Sequence, residues 1–211
     1  MKKHIFTLLM SVLCGTLMAT SPEKIRLNKP NLNRGANFMQ TLSQRESVRT
    51  FKPDALSLAD LSDLLWAANG VNRENGKRTA PSARNKQEIT VYAFLPTGVY
   101  RYDAKAHTLI RVVEGDHRKL LNGGQDFADK GALCLLHVGD ASKFADHDAQ
   151  MQREMVAIDA GIVCQNVNLF CAAMGLSNVP RKWMDVEGVC KLLKLPAHEI
   201  PMLNNVIGYK K

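Results

Sequence analysis

The clearest chemical signal in this chain is Arg45-Glu46-Ser47-Val48-Arg49-Thr50-Phe51. Its two arginines and its serine suit a phosphate group, because a guanidinium forms bidentate, charge-assisted bonds with phosphate oxygens and a hydroxyl adds a further donor. The apolar Phe51 would attach the run to the core. Taken alone, the run has a second interpretation as a solvated, charged helix end.

Three further runs follow the first one along the chain. They are the polar loop Pro81-Ser82-Ala83-Arg84-Asn85-Lys86-Gln87, the turn-like Gly175-Leu176-Ser177-Asn178-Val179-Pro180, and Val206-Ile207-Gly208-Tyr209 near the end. No single run is specific, but the four in this order resemble the FMN-dependent nitroreductase family. The resemblance covers roughly residues 38–211.

The resemblance implies which residues would bind FMN. In this family the first run holds the phosphate and part of the flavin ring, the polar loop crosses a homodimer to reach the flavin, and the Gly-Leu-x-x-Val-Pro turn lies beside the ring. Carried over to this sequence, the expected cofactor-binding residues are Arg45, Glu46, Ser47, Arg49, Pro81, Ser82, Ala83, Asn85, Gln125, Val179, Pro180, Arg181, Lys182 and Lys210.

Two of these residues keep a second interpretation. Gln125 precedes a predicted buried strand, where related chains place an amide against the flavin pyrimidine, but it could equally be an exposed loop amide. Lys210 would reach the phosphate or belong to a frayed basic tail. No catalytic side chain and no metal ligand is predicted, because the flavin itself carries the redox chemistry.

The runs at 78–83 and 98–103 are similar to one branch of the family, the azoline dehydrogenases of peptide toxin maturation. The chain also departs from the family pattern. Glu88 stands where many members have proline, and Lys182 and Trp183 stand where flavin-contacting members often carry Glu-Gly or Gly-Gly. A bulky Trp183 near the ring would narrow the substrate side.

The first 19 residues have the layout of a secretory signal. Lys2 and Lys3 precede the apolar run Ile5–Leu13, and small residues lead to Ala19. We therefore predict a signal peptide at 1–19, an extended arm at 20–37, a single FMN-binding domain at 38–211, and an exported, periplasmic protein. A lipid on Cys14 is the alternative, although Leu13 before it is large. No stable membrane span is expected in the mature chain, because Asp159 and several amides interrupt the apolar run 155–174.

Composition excludes other functions. The 28 basic residues exceed the 20 acidic ones, but they are scattered and show no basic stripe with interleaved aromatics, so nucleic acid is not an expected partner. There is no Gly-x-Gly-x-x-Gly, no phosphate-binding loop lysine motif and no His-Glu-x-x-His. Asp146-His147-Asp148 is better explained as a solvated loop than as a metal site.

The pattern of predicted elements indicates an α+β fold, because helices and strands are mixed without a regular βαβ repeat. The nitroreductase-like version would have a central mixed or antiparallel sheet packed with helices, and a long central helix at a homodimer interface. Predicted helices are 38–44, 57–68, 116–121, 150–174 and 185–193, and predicted strands are 89–95, 99–102, 108–113, 131–138 and 204–209.

The predicted function is that of an FMN-dependent oxidoreductase acting as a homodimer. NAD(P)H or another donor would reduce the flavin through its N5 atom, and a small aromatic, quinone or azoline-type acceptor would reoxidise it in a ping-pong scheme. The alternative is an exported flavin-binding module without NAD(P)H turnover, because nicotinamide cofactors are not expected outside the cytoplasm.

Overall fold

The computed structural model describes residues 21–211. The predicted signal peptide, its cleavage site near Ala19 and the lipidation candidate Cys14 lie outside the described residues. Within them the chain forms one seven-stranded sheet with four α-helices, so the predicted α+β class is confirmed.

Every strand pair in the sheet is antiparallel, and the strand order is β1-β4-β3-β2-β5-β7-β6. Short turns join neighbours such as β2 and β3, as expected for antiparallel hairpins. The strands are β1 (Lys24–Arg26), β2 (Ile89–Leu95), β3 (Gly98–Asp103), β4 (Thr108–Glu114), β5 (Leu133–Asp140), β6 (Leu176–Arg181) and β7 (Glu199–Tyr209).

The helices begin and end at recognisable caps. The Ser57 side chain accepts from the Asp60 N–H at 3.0 Å to start the second helix, and Asp148 accepts from the Met151 N–H at 2.8 Å to start the third. Gly175 ends the third helix at φ 66°, a left-handed conformation that glycine adopts without strain. The helices are α1 (Phe38–Gln44), α2 (Leu58–Asn69), α3 (Ala149–Met174) and α4 (Val186–Leu193).

Both faces of the sheet are covered, and β5 shows why. Leu133 and Leu135 belong to the core shared with α2 and α3, whereas Cys134, Leu136 and Val138 belong to a second core on the opposite face. This alternation follows from the two-residue period of a strand. It explains why β5 is apolar along most of its length, as is typical of a strand buried on both faces.

The helix α3 is long and apolar enough to cross a membrane by length and composition alone. In the fold it packs against α1, α2 and the strands β5, β6 and β7. Part of its apolar surface is exposed, with Met151 and Ile158 facing outward. Its buried Asp159 contacts the loop before β2.

Most predicted elements are found within a few residues of their expected bounds. The main error concerns β6, because the run Gly175–Pro180 was expected to form a turn from its resemblance to the family's Gly-Leu-x-x-Val-Pro turn. Residues 176–181 instead pair with β7 as a strand, and proline is tolerated because β6 is the last strand of the sheet. The helix predicted from Asp116 is a short 3₁₀ segment, Arg118–Leu121.

Residues predicted to form an extended arm fold back onto their own chain. Lys24–Arg26 form β1 and extend the sheet beyond β4. Farther on, the guanidinium of Arg34 forms ion pairs with Asp60 at 2.5 Å and with Asp63 at 2.9 Å, which attaches the segment to α2.

Candidate functional site

The run 45–51 crosses the ends of β6 and β7 in an extended conformation. Arg45 ends α1, the Val48 N–H donates to the Asn178 carbonyl at 2.9 Å, and the Lys52 N–H donates to the Tyr209 carbonyl at 2.9 Å. Phe51 is buried in the second core and pairs with Lys210. The backbone is therefore fixed, while the side chains of Arg45 and Arg49 are exposed.

A cavity of about 490 Å³ opens beside this run. Its cationic residues are Arg45 and Lys210, and the Lys210 ammonium is 3.0 Å from the Glu46 carboxylate. Arg45 makes no ion pair within residues 21–211. The lining residues are Ser43, Gln44, Arg45, Glu46, Val48, Asn168, Cys171, Ala172, Gly175, Leu176, Asn178 and Lys210.

A network of amides forms the inner wall of this cavity. Asn178 donates to the Asn168 side-chain oxygen at 2.7 Å, and Asn205 donates to both Asn168 and Asn178 at 3.0 Å. Behind them, burial lowers the pKa of His137 to about 4, so this ring is neutral and its Nε2 donates to Asn205 at 2.8 Å. The wall is consequently polar and fixed.

A second cluster surrounds Phe127. The guanidinium carbons of Arg49 and Arg181 lie 5.7 Å and 5.4 Å from the centre of the Phe127 ring, within the range of a cation–π contact. Arg181 is buried, and its Nε donates to the Gln125 side-chain oxygen at 2.9 Å. Arg49, Gln125 and Arg181, predicted separately, are thus brought together.

The buried Arg181 carries a charge that no ion pair within the described chain neutralises. Burial lowers its pKa, Cys134 and Asp129 raise it, and Arg49 lowers it further. The group stays protonated, since arginine does not lose its proton in proteins. Neither Arg49 nor Arg181 is in an ion pair with any carboxylate of the described chain. Two guanidiniums near one ring without a carboxylate favour an anionic or electron-rich ligand.

The loop 81–87 is built differently from the run 45–51. Three of its residues, Arg84, Asn85 and Gln87, have φ values between 51° and 54°, a region that non-glycine residues rarely occupy. The Ser82 hydroxyl accepts from the Gln87 N–H at 2.8 Å and closes the loop. Strained backbone of this kind is concentrated at functional sites.

Two buried carboxyl groups anchor this loop. The Asp159 carboxylate accepts from the Ala83 N–H at 2.7 Å, and Glu88 follows the loop with only 2% of its surface exposed. Burial and the neighbouring Asp159 raise the pKa of Glu88 to about 8. Neither Glu88 oxygen has a hydrogen-bond partner within the described chain, so no donor stabilises the charged form of this buried carboxyl.

The remaining predicted residues lie along and just after β6. Val179 is buried in the second core, and Pro180 follows it at the sheet edge. The Lys182 ammonium donates to the Pro201 carbonyl at 3.1 Å, and burial followed by Arg153 lowers its pKa. Trp183 is 68% exposed, more than any other large aromatic residue of the described chain, and Phe38 at 65% comes next.

The predicted residues therefore form three groups, and one is remote from the others. The loop 81–87 contacts α3 at Asp159, whereas the cavity reaches α3 at Cys171. Cys171 lies about 18 Å from Asp159 along the helix axis, and Asn168, which also lines the cavity, lies about 14 Å from it. Within one chain the loop and the cavity therefore contact different parts of α3.

Several residues of the site were missed in the sequence. Phe127 lies two positions after Gln125, where an aromatic beside a predicted binding amide was a usable signal. Asn168 and Asn178 carried no local signal, because their role depends on α3 meeting β6. Asp159 was recognised only as a charge inside an apolar run.

Comparison with known proteins agrees with this geometry. Residues 42–209 match the model of the nitroreductase family. A solved structure of a nitroreductase of Ralstonia eutropha JMP134 is 35% identical, covers 99% of this chain and 98% of its own, and superposes with a TM-score of 0.84.

Two more distant proteins show the same likeness. A protein of Methanocaldococcus jannaschii named as a nitroreductase is 28% identical over 178 residues, which are 80% of this chain and 89% of that protein. An NAD(P)H:FMN oxidoreductase structure of Staphylococcus epidermidis ATCC 12228 shares the fold at 16% identity, with a TM-score of 0.64 over 85% of this chain and 89% of its own. From the family match and the near full-length likeness to the Ralstonia structure, the chain belongs to the nitroreductase family.

Proposed function

We propose that the protein is an FMN-dependent oxidoreductase. The observation that carries the proposal is the fixed run 45–51, which displays Arg45 and Arg49 at two neighbouring clusters without a carboxylate partner in the described chain. The relative from Staphylococcus epidermidis is named for FMN and NAD(P)H, which supports the same cofactor and donor here.

The residues of the cavity and of the cluster around Phe127 fit the phosphate end and the ring end of FMN, respectively. Arg45 and Lys210 line the cavity and suit a phosphate, because both donate charge-assisted hydrogen bonds. Arg49, Gln125 and Phe127 suit a flat ring with carbonyl acceptors. Four extended residues span at most about 14 Å, so one elongated ligand can reach both clusters.

Bound there, FMN would supply hydride transfer through its ring. The protein's own part is binding and orientation. Arg45 and Lys210 hold the charged end, Arg49 and Gln125 direct hydrogen-bond donors at the ring end, and the amide wall keeps the cavity fixed. The acceptor classes that suit such a site are small aromatics, quinones and azolines of the toxin-maturation type.

We also propose a homodimer in which each loop 81–87 serves the partner's site. The separation of about 14–18 Å along α3 between the points where the loop and the cavity meet this helix supports this, because the loop does not line the cavity of its own chain. Exposed apolar side chains support it as well: Ile158 on α3 is 61% exposed, and Phe38 and Met39 on α1 are 65% and 73% exposed. Such a surface is typical of an interface.

The test of the enzyme uses the mature chain with bound FMN. Anaerobic addition of NADPH or NADH should bleach the flavin absorbance, and a quinone or nitroaromatic should restore it. Colour that no donor bleaches would support the binding module without turnover instead. A protein that binds no FMN would contradict both. Light scattering of the loaded protein should give a dimer, and a monomer with stoichiometric FMN would contradict the shared site.

Export is a separate proposal that rests on the signal layout at 1–19. In the native host, fractionation should place the protein outside the cytoplasm, and intact mass should show a chain that begins near Thr20. A diacylglycerol-modified Cys14 would indicate the lipoprotein alternative. A cytoplasmic chain that retains Met1 would contradict export and would restore NAD(P)H as the ordinary donor.

A further inference from the structure

We propose that Arg181 is a positioning residue that orients the Gln125 side chain so that its amide nitrogen donates to the bound flavin. Arg181 also supplies buried positive charge to the flavin ring. This inference rests on the proposed function. It concerns a side chain that follows Val179-Pro180 in β6 and points to the face opposite α3.

The hydrogen bonds of Arg181 are the first observation. Its Nε donates to the Gln125 side-chain oxygen at 2.9 Å, its Nη1 donates to the Leu121 carbonyl at 2.8 Å, and its Nη2 donates to the Asn122 carbonyl. All three acceptors belong to the segment that leads into Phe127. The planar guanidinium therefore clamps this segment to the end of β6.

The chemistry of arginine decides how Gln125 is oriented. A guanidinium only donates, so the atom of Gln125 that it contacts must be the carbonyl oxygen. The amide nitrogen of Gln125 then points away from Arg181, and it donates to no other residue within 21–211. Gln125 is half-buried beside Arg49 and Phe127, so it offers a fixed donor to a ring carbonyl.

The charge of Arg181 is the second observation. Its side chain is 7% exposed, it has no ion-pair partner among the described carboxylates, and Arg49 adds a second cation on the same aromatic ring. A buried charge without an ion-pair partner is costly to a fold, and the Asp129 carboxylate acts on Arg181 only at longer range. A hydride adds two electrons and one proton to the ring, so the ring gains one negative charge there. The cluster stabilises that charge.

The alternative is that Arg181 only braces the 121–125 segment. The two roles differ in their effect on the preference for reduced over oxidised FMN. A purely structural role would affect folding and would affect the binding of oxidised and reduced FMN alike, whereas a positive charge beside the ring would favour reduced FMN. The midpoint potential of bound FMN separates them, and it does not depend on turnover.

The main variant is Arg181→Gln, which removes the charge. It should lower the preference for reduced FMN about tenfold, which corresponds to about 30 mV in a two-electron midpoint potential. Arg181→Lys retains the charge and should restore most of that preference. Arg118→Gln is the matched control, because Arg118 also donates to a backbone carbonyl, that of Gly131, but is paired with Asp116. It should leave the potential unchanged.

Equal midpoint potentials in Arg181→Gln and the parent protein would overturn the inference while leaving FMN binding intact. Absence of FMN from the parent would instead contradict the proposed function. If Arg181→Gln does not fold, Gln125→Leu decides, because it keeps Arg181 and removes the positioned donor. Gln125→Leu should lower the preference for reduced FMN severalfold, and an unchanged potential would count against the inference.

Discussion

The run 45–51 and the loop 81–87 serve one proposed site by opposite means. The run has an ordinary extended backbone, which the N–H groups of Val48 and of the following Lys52 tie to the sheet. Its arginines are exposed and form no ion pair within the described chain. The loop has three left-handed non-glycine residues and a buried carboxylate that holds its Ala83 N–H. The run contributes side-chain charge, whereas the loop contributes backbone conformation.

This difference teaches where each segment is sensitive to change. Exposed side chains contribute little to folding, so the arginines of the run can be specialised for a ligand. The loop holds strain that the surrounding structure must offset, so its integrity depends on buried groups that touch no ligand. Variants of the run should therefore change binding, and variants of the loop anchor should change stability first.

The largest effect is expected for the double variant Arg45→Ala/Arg49→Ala. Each arginine loses charge-assisted bonds worth about 1.5–3 kcal/mol, so FMN affinity should fall a hundredfold or more, while the melting temperature of the apoprotein changes little. Fluorescence titration with FMN and calorimetry of the apoprotein measure the two quantities. Lys52→Ala is the control, because it removes an exposed charge directly after the run 45–51. Unchanged FMN affinity in the double variant would contradict the assignment of Arg45 and Arg49 to FMN binding.

The next largest effect is expected for Asp159→Ala. It leaves the Ala83 N–H without its acceptor and should lower the free energy of unfolding by about 1.5–3 kcal/mol, with faster hydrogen exchange in the loop. Asp159→Asn keeps an acceptor of the same shape and should cost less. Denaturant titration compares them, and equal stability of the two variants would show that the loop does not depend on this anchor.

A smaller, pH-dependent effect is expected from Glu88. Its pKa is raised in the fold to about 8 from an ordinary value of 4.5, so its contribution to stability is complete below about pH 4.5 and is lost as the pH rises through 8. The charged groups facing it are Asp159 from α3 and Arg78 from the preceding loop, and Tyr102 and Asp103 of β3 lie near Arg78.

Glu88→Gln should remove that pH dependence. Between pH 6 and pH 9 the parent should lose about 1–3 kcal/mol of unfolding free energy relative to the variant, because a buried carboxylate must form without a donor. Denaturant titrations at a series of pH values measure the difference. The exposed Glu74→Gln serves as control. Parallel pH profiles for the parent and Glu88→Gln would refute the prediction.

The smallest effect is expected from paired changes at Asn85, whose φ is 54°. Asn85→Gly should change the unfolding free energy by less than about 0.5 kcal/mol, because glycine adopts this conformation freely. Asn85→Ala should lower it by about 1 kcal/mol, because alanine keeps the unfavourable Cβ contact of the left-handed conformation without the short polar side chain that lets asparagine adopt it. Thermal unfolding of both variants decides, and equal stability would show that the backbone conformation matters less than proposed.

The sequence predicted the parts of this molecule that depend on local rules. The helices α1 and α3 and the strand β2 follow from caps, length and apolar pattern, and Gly175 was correctly identified as the end of α3. Arg45 and Arg49 were predicted to bind the cofactor because their chemistry is visible in seven consecutive residues, and this assignment stays a prediction. Long-range pairings were not visible in this way.

The missed features all depend on contacts between distant segments. β6 is a strand only because β7 pairs with it, and its turn-forming residues concealed this. Glu88 was noted only as a departure from proline, since its meaning requires Asp159, which lies 71 positions later in the chain. Arg181 was predicted to bind the cofactor, but its hydrogen bond to the Gln125 side chain was not predicted, because the two residues lie 56 positions apart.

The strand β1 sets a limit on how far the chain can be trimmed. Ser21 accepts from Arg111 through its hydroxyl at 2.7 Å, the Glu23 carbonyl accepts from the Arg111 N–H at 2.8 Å, and residues 24–26 cover the outer edge of β4. An uncovered edge offers a row of unpaired backbone groups to other chains and promotes aggregation. A protease that cut beyond residue 26 would expose that edge, whereas cleavage near Ala19 leaves it covered.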